Sequence, residues 1–144
     1  MFKCLLHATD LQLNHLEYCE QAAKIAKSMR AQLYFLHVLE IPQSWQIAQS
    51  LGFAENQPLP IEETKMILRV LADQFDLPSE HMLLMEGTPK HQIIECINEL
   101  EVDLLLVGSR TNPILQAEIT HLTHYLADHS PCNMMLMRPL DHDF

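Results

Sequence analysis

Glycine is scarce in this chain. The 144 residues include only three glycines, Gly52, Gly87 and Gly108. A loop that wraps a triphosphate needs several residues without a Cβ, both to reach positive φ and to let the backbone approach the phosphates. The turn after the apolar run Leu104–Val107 precedes a helical pattern, which is where α/β proteins usually bind phosphate, and it supplies only Gly108. The sequence therefore predicts the scaffold of a phosphate-binding turn without the glycines that would grip a triphosphate.

Basic residues are also few. Nine Lys and Arg residues stand against nineteen Asp and Glu residues, the formal net charge is −10, and the basic residues are scattered. This balance argues against nucleic acid and anionic membranes as partners. No apolar run approaches the ~18 residues of a membrane span. The N-terminal residues lack a signal-peptide pattern, so we expect a cytoplasmic protein.

Close cysteine pairs and recognisable catalytic groups are absent too. Cys4, Cys19, Cys96 and Cys132 have none of the spacings of a zinc knuckle or a redox dithiol. Reduced cysteines among apolar residues pack as small hydrophobes. No Ser or Cys nucleophile lies in a recognisable turn with an assignable base, and no carboxylate pair has a spacing that fixes it across a substrate. The sequence predicts no enzyme and no metal site built on cysteine.

Apolar runs of strand length alternate with helical periodicity along the chain. This alternation predicts a single doubly wound α/β domain over residues 1–144, with a five-stranded parallel sheet and helices on both faces. The predicted strands are Cys4–Ala8, Gln32–Leu39, Met82–Met85, Leu104–Val107 and Met134–Met137. The predicted helices are Asn14–Arg30, with Leu16, Cys19, Ala23 and Ala26 on one face, then Ile61–Phe75, Lys90–Leu100 and Ile114–His129.

A long polar segment, Ile41–Pro60, separates the second strand from the next helix. It exceeds the usual length of a connection, so it is a lid, a binding loop or a variable insertion. A short helix is expected around Trp45–Leu51. We expect Trp45, the only tryptophan, to anchor this segment by packing on the domain rather than to contact a ligand.

Histidine is comparatively abundant, with nine residues. His121, His124 and Asp128 share one face of the last predicted helix, so a surface site for a divalent metal is geometrically possible. A solvated polar face is the preferred interpretation, because nothing in the sequence brings a further ligand to these three.

His7 and His37 lie in predicted strands that end at the ligand-binding edge of such a sheet. Each is interpreted as a hydrogen-bonded core residue, with the hypothesis that His7 tunes a pocket near Asp10.

Several segments together resemble the universal stress protein family. They cover almost the whole chain in the family's order and spacing: Lys3 to Leu11, Leu36-His37-Val38, Gly87-Thr88-Pro89, Val102 to Arg110, and Ser130-Pro131-Cys132 before the last strand. The resemblance implies a fold like that of the adenine nucleotide alpha hydrolases. It also implies that Asp10 and Val38 contact a nucleoside and that Gly108 and Ser109 lie beside its phosphates.

The sequence departs from the nucleotide-binding branch of that family. Thr111 stands where a second glycine belongs, and Thr120-His121-Leu122 occupies the neighbourhood of the third. A β-branched residue and an imidazole there would crowd a triphosphate. The chain is thus more similar to the branch represented by universal stress protein A, which lacks these glycines. No cofactor is expected, and Asp10 then caps a helix or holds its loop by hydrogen bonds.

The last predicted strand, Met134–Met137, is apolar on both faces. The resemblance implies that it is an edge strand, and pairing with its copy in a second subunit would cover it. We therefore expect a homodimeric stress-response module that binds an unidentified protein partner and has no tightly bound ATP. Two alternatives remain at this point: an ATP- or AMP-binding switch that uses Asp10, Val38 and Gly108, and a metal-responsive protein that uses His121, His124 and Asp128.

Overall fold

Five strands form one parallel sheet. The computed structural model describes residues 1–11, 15–40, 47, 50–52, 60–109 and 116–139, with side chains in the last helix from residue 122 onward. The strands are β1 (Cys4–Ala8), β2 (Gln32–Leu39), β3 (Met82–Glu86), β4 (Leu104–Gly108) and β5 (Asn133–Met137). Their spatial order is β3-β2-β1-β4-β5, and every neighbouring pair is parallel.

In the described part of the chain, four helices of 12 to 15 residues connect the strands and cover both faces of the sheet. They are α1 (His15–Met29), α2 (Ile61–Gln74), α3 (Pro89–Leu100) and α4 (Gln116–His129), and a short 3₁₀ turn, Ser79–His81, precedes β3. Pro89 is the first residue of α3, where its fixed φ suits the helix and its missing N–H costs nothing. This is the doubly wound parallel fold that the sequence predicts.

Alternating side chains of the central strands supply two separate cores. Leu5 of β1 packs with α1 and α2 on one face, whereas Leu6 packs with α3 and α4 on the other. Both leucines are fully buried. Because both faces are covered, β1 and β4 read as continuous apolar runs rather than as alternating patterns.

Helix α1 buries a different stripe from the predicted one. Cys19 and Ala26 are buried as expected, but Tyr18 and Ala22 complete the stripe, and Leu16 is 47% exposed. Leu16 lies about 100° around the helix from the middle of that stripe, given 3.6 residues per turn. The prediction that Leu16 faces the core was wrong.

Strand β5 lies at the edge of the sheet, as the resemblance implies. Its outer residues Met135 and Leu136 are exposed, whereas Met137 is buried in the core. Among the residues that the structure describes, its only strand partner is β4, with Leu106 opposite Met135 and Val107 opposite Leu136.

Asp103, just before β4, fastens the start of β1. Its two carboxylate oxygens accept hydrogen bonds from the backbone N–H groups of Lys3, at 2.8 Å, and Cys4, at 3.0 Å. The Asp103 N–H donates to the carbonyl of Cys4 at 3.0 Å. The Val102-Asp103 dipeptide thus has a structural function. It ties the start of β4 to the start of β1, at the end of the sheet away from the carboxyl ends of these strands.

The four cysteines are free. Cys19 and Cys96 are buried, and Cys4 and Cys132 are half-buried. Burial raises the pKa of the Cys96 thiol to about 11 and that of Cys19 to about 12. They pack as neutral apolar side chains, as the sequence predicts.

Candidate functional site

A cavity of about 830 Å³ opens at the carboxyl ends of β1, β2 and β4. The chain winds outward from β1 through β2 to β3 and then crosses to β4, so the cavity lies at the point where the strand order reverses. Ligands of open α/β sheets bind at such switch points. Asp10, Val38 and Gly108, the residues that the resemblance places around a nucleoside, all line this one cavity.

A tight turn after β1 presents Asp10. The Thr9 N–H donates to the carbonyl of Leu36 at 2.9 Å, and the Thr9 hydroxyl accepts from the N–H of Leu11 at 3.2 Å. Leu11 takes a left-handed conformation, with φ of 56°. His37 approaches from β2, where its Nδ1 lies 2.7 Å from the Thr9 carbonyl and donates to it. The turn is therefore fixed by both neighbouring segments, which sets the position of Asp10 at the cavity.

His7 lies in the cavity wall on the α1 side of the sheet. It is 1% exposed, and its ring meets Phe35 edge to face at 5.7 Å. Burial lowers the pKa of His7 to about 4, while the carbonyl of Leu106 and the charge of Asp10 oppose this shift. His7 is thus neutral at physiological pH. Burial also lowers the pKa of His15, at the start of α1, with Asp10 again opposing the shift.

Gly108 is in close contact with Tyr18 of α1. A Cβ added to Gly108 would lie 2.7 Å from Cε2 and 2.8 Å from Cδ2 of the Tyr18 ring. Tyr18 is 1% exposed and also lines the cavity, so its ring has little freedom to move away. The absence of a side chain at Gly108 is therefore required by helix packing.

Ser109 is held by the neighbouring strand. Its N–H donates to the carbonyl of Met137 at 2.8 Å, so this donor already has a partner. The Ser109 hydroxyl oxygen is buried and has no hydrogen-bond partner in the described part of the chain. Among the described residues, the cavity lining includes Gly108 but does not include Ser109.

The opposite wall comes from α3 and α4. Thr88, Pro89 and Lys90 contribute from the start of α3, and Tyr125 contributes from α4. The Lys90 ammonium lies 4.8 Å from the centre of the Tyr125 ring, a cation–π contact. Within the described ranges, Lys90 is the only Lys or Arg that lines the cavity, whereas Asp10 and Glu40 both do.

The residues of the predicted metal face are not gathered into a site by the described structure. His124 and Asp128 are both exposed on α4, and the side chain of His121 lies outside the described residues. No group of three His, Cys, Asp or Glu side chains suited to a metal occurs among the residues that the structure describes. Thr111, Trp45 and the side chain of Thr120 also lie outside them, as does most of the 41–60 segment.

Lys90 and Tyr18 line the cavity but were not predicted from the sequence. Lys90 follows Thr88-Pro89, which marks a helix start directly after a strand, so it could have been placed at the carboxyl edge of the sheet from that motif. Tyr18 gave no comparable signal, because its contact with Gly108 depends on how α1 packs on the sheet.

The family model described as "Universal stress protein family" matches residues 1–138. The chain belongs to the universal stress protein family. Among curated universal stress proteins, universal stress protein A homolog 1 of Coxiella burnetii is 33% identical over 110 residues, which are 75% of this chain and 76% of that protein. Homolog 2 of the same organism is 25% identical over 120 residues, 83% of this chain and 82% of that protein.

Solved universal stress proteins share the fold. The universal stress protein UspA from Lactobacillus plantarum superposes with a TM-score of 0.71 at 23% identity, over 95% of this chain and 98% of that one. A universal stress protein in complex with cAMP gives a TM-score of 0.65 at 16% identity, over 96% and 98% of the two chains. In the described part of this universal stress protein, no helix is long and apolar enough to cross a membrane.

Proposed function

We propose that this universal stress protein is a cytoplasmic, homodimeric regulatory module that acts by binding rather than by catalysis. In this proposal the cavity takes a small ligand but does not hold ATP tightly. The observation that carries the proposal is the contact between Tyr18 and Gly108. The ring occupies the direction in which a side chain on Gly108 would point, so glycine at this position is explained by the packing of α1 and is not evidence of a phosphate-binding turn.

Two further observations support weak binding of a triphosphate. The Ser109 N–H, which follows Gly108, already donates to the Met137 carbonyl. The described cavity lining carries the carboxylates of Asp10 and Glu40 against the single ammonium of Lys90. Carboxylates repel a polyphosphate. The net charge of −10 on the whole chain adds no positive long-range field that would offset this repulsion.

The test of this proposal is whether nucleotide accompanies the purified protein. We expect an absorbance spectrum without a nucleotide contribution, and no phosphate release from added ATP above the buffer rate. Nucleotide that copurifies in stoichiometric amount would contradict the proposal. Turnover of ATP that is lost in the Asp10→Asn variant would contradict its non-catalytic part.

The homodimer is proposed to form through the exposed edge of β5. Met135 and Leu136 are exposed there, and an unpaired apolar edge strand invites pairing with a second copy. We expect light scattering to give twice the 16.6 kDa chain mass, and Leu136→Lys to give the monomer mass. The matched control is Met66→Lys, which adds the same charge at an exposed apolar residue of α2. Wild-type protein that is monomeric at micromolar concentration would contradict the dimer.

A second candidate function is a switch driven by ATP or AMP with altered phosphate contacts. It is favoured by the gathering of Asp10, Val38 and Gly108 in one cavity whose volume suits a nucleoside. Lys90, at the start of α3, would then meet a phosphate in place of the missing glycines. This candidate requires that Lys90→Gln weakens AMP binding while adenosine binding stays unchanged.

A further inference from the structure

His7, which lines the cavity, carries a hydrogen-bond acceptor without a partner among the described residues. Its Nδ1 lies 3.0 Å from the carbonyl oxygen of Leu106. A carbonyl oxygen only accepts hydrogen bonds, so Nδ1 holds the proton of the neutral ring. The other nitrogen, Nε2, is then a bare acceptor. It is buried and has no hydrogen-bond partner among the described residues.

The surroundings of His7 favour a donor rather than a charged acceptor on any incoming group. Asp10 acts electrostatically on His7 and on His15, and the His15 Nδ1 is a second buried nitrogen without a partner in the described structure. A carboxylate also only accepts hydrogen bonds. Glu40 adds a further negative charge to the cavity lining. A group with N–H or O–H donors and no negative charge is complementary to this arrangement.

We propose that His7 Nε2 is the hydrogen-bond acceptor that makes the cavity select neutral, nucleoside-sized ligands whose base carries an exocyclic N–H donor. This inference rests on the proposed function, since it assumes that the cavity takes a small ligand. Because Nε2 is already buried without a partner, a ligand that donates to it gains a hydrogen bond that an analogue without the donor cannot make. His7 is therefore a specificity-determining residue.

Calorimetric titration with adenosine and with purine riboside tests the inference, because these probes differ only in one exocyclic amino group. We expect wild-type protein to bind adenosine about tenfold more tightly, a typical value for one hydrogen bond to a buried neutral acceptor. In His7→Leu the ratio of the two affinities should fall to about one, because leucine fills a similar space between Phe35 and Leu106 and accepts no hydrogen bond.

His81 provides the matched control. Its Nδ1 makes the same kind of bond, 2.8 Å to the carbonyl of Leu33, and its ring stacks on Tyr34. His81 does not belong to the described lining of the cavity. His81→Leu should therefore leave the affinity ratio at its wild-type value. If His7→Leu also leaves the ratio unchanged, His7 is only structural and the inference is overturned.

A second measurement does not depend on the folding of a variant. In ¹⁵N-labelled wild-type protein, the unprotonated Nε2 resonance of His7 should shift on addition of adenosine and remain in place with purine riboside. An unchanged resonance under saturating adenosine, or the absence of binding by both nucleosides, would overturn the inference. The proposed function fails on a different result, namely nucleotide that copurifies or a triphosphate that adds affinity.

Discussion

The ring of Tyr18 packs against the α-carbon of Gly108 so closely that no side chain fits between them. A Cβ on Gly108 would lie 2.7 Å from Tyr18 Cε2, well inside van der Waals contact. Gly108 therefore allows α1 to dock on β4. By resemblance to the family, the same position would lie beside a bound phosphate. A glycine at this position could be explained by phosphate binding or by helix packing, and the contact with Tyr18 supports packing.

Gly108→Ala should destabilise the protein. The added methyl group collides with a ring that is 1% exposed and has no room to withdraw, so we expect a loss of about 1–3 kcal/mol, typical of overpacked cores. Urea unfolding measures the loss. The control is the same change in a Tyr18→Leu background, where the smaller side chain should relieve most of the cost. Equal losses in both backgrounds would contradict the account of this contact.

His7 should make stability depend on pH. Its pKa is about 4 in the folded protein, against 6.5 for a histidine in the unfolded chain, so the unfolded state binds more protons between these values. Stability is full above about pH 6.5 and falls as the pH drops towards 4. For one group with these values the loss is about 2 kcal/mol at pH 5.

The comparison that isolates this effect is urea unfolding of wild-type protein and His7→Leu at pH 7.5 and pH 5. The carboxylates titrate in both proteins, so the difference between them reports His7. Between pH 7.5 and pH 5, we expect the free energy of unfolding to fall by about 2 kcal/mol less in the variant than in the wild type. A difference that is the same at both pH values would show that His7 is not held neutral by burial.

Asp103→Asn should weaken the start of β1. The carboxylate accepts two backbone N–H groups, from Lys3 and Cys4, whereas an amide offers one oxygen and turns two N–H donors towards one of these N–H groups. We expect a loss of about 1–3 kcal/mol, the cost of leaving a charge-assisted bond unmade. Thermal or urea unfolding measures it, with Asp73→Asn on exposed α2 as the control. A change no larger than that of the control would contradict the role given to Asp103.

Local patterns were sufficient for most of the fold. The bounds of β1 and β2 agree with their predictions to the residue, because each apolar run is flanked by polar or turn-forming residues. The edge position of β5 followed from the family resemblance and was confirmed. The phase of α1 was harder, since Leu16 is as apolar as the residues that are buried, and only the packing of Tyr18 settles which stripe faces the sheet.

The candidate site was also predictable in part. Asp10, Val38 and Gly108 were assigned through the family resemblance, and all three line one cavity at the carboxyl edge of the sheet. The Tyr18–Gly108 contact, the bond from Ser109 to Met137 and the neutral state of His7 could not be predicted. Each depends on distances between segments far apart in the chain, which residue types and spacing do not determine.

The most direct test of the account is calorimetric titration of purified protein with adenosine and with ATP, the latter with and without magnesium. Because the Ser109 N–H already donates to Met137 and the described cavity lining carries two carboxylates against one ammonium, ATP should bind no more tightly than adenosine. Micromolar binding of ATP at least tenfold tighter than that of adenosine would contradict this claim, since it would require a phosphate grip that works without the missing glycines.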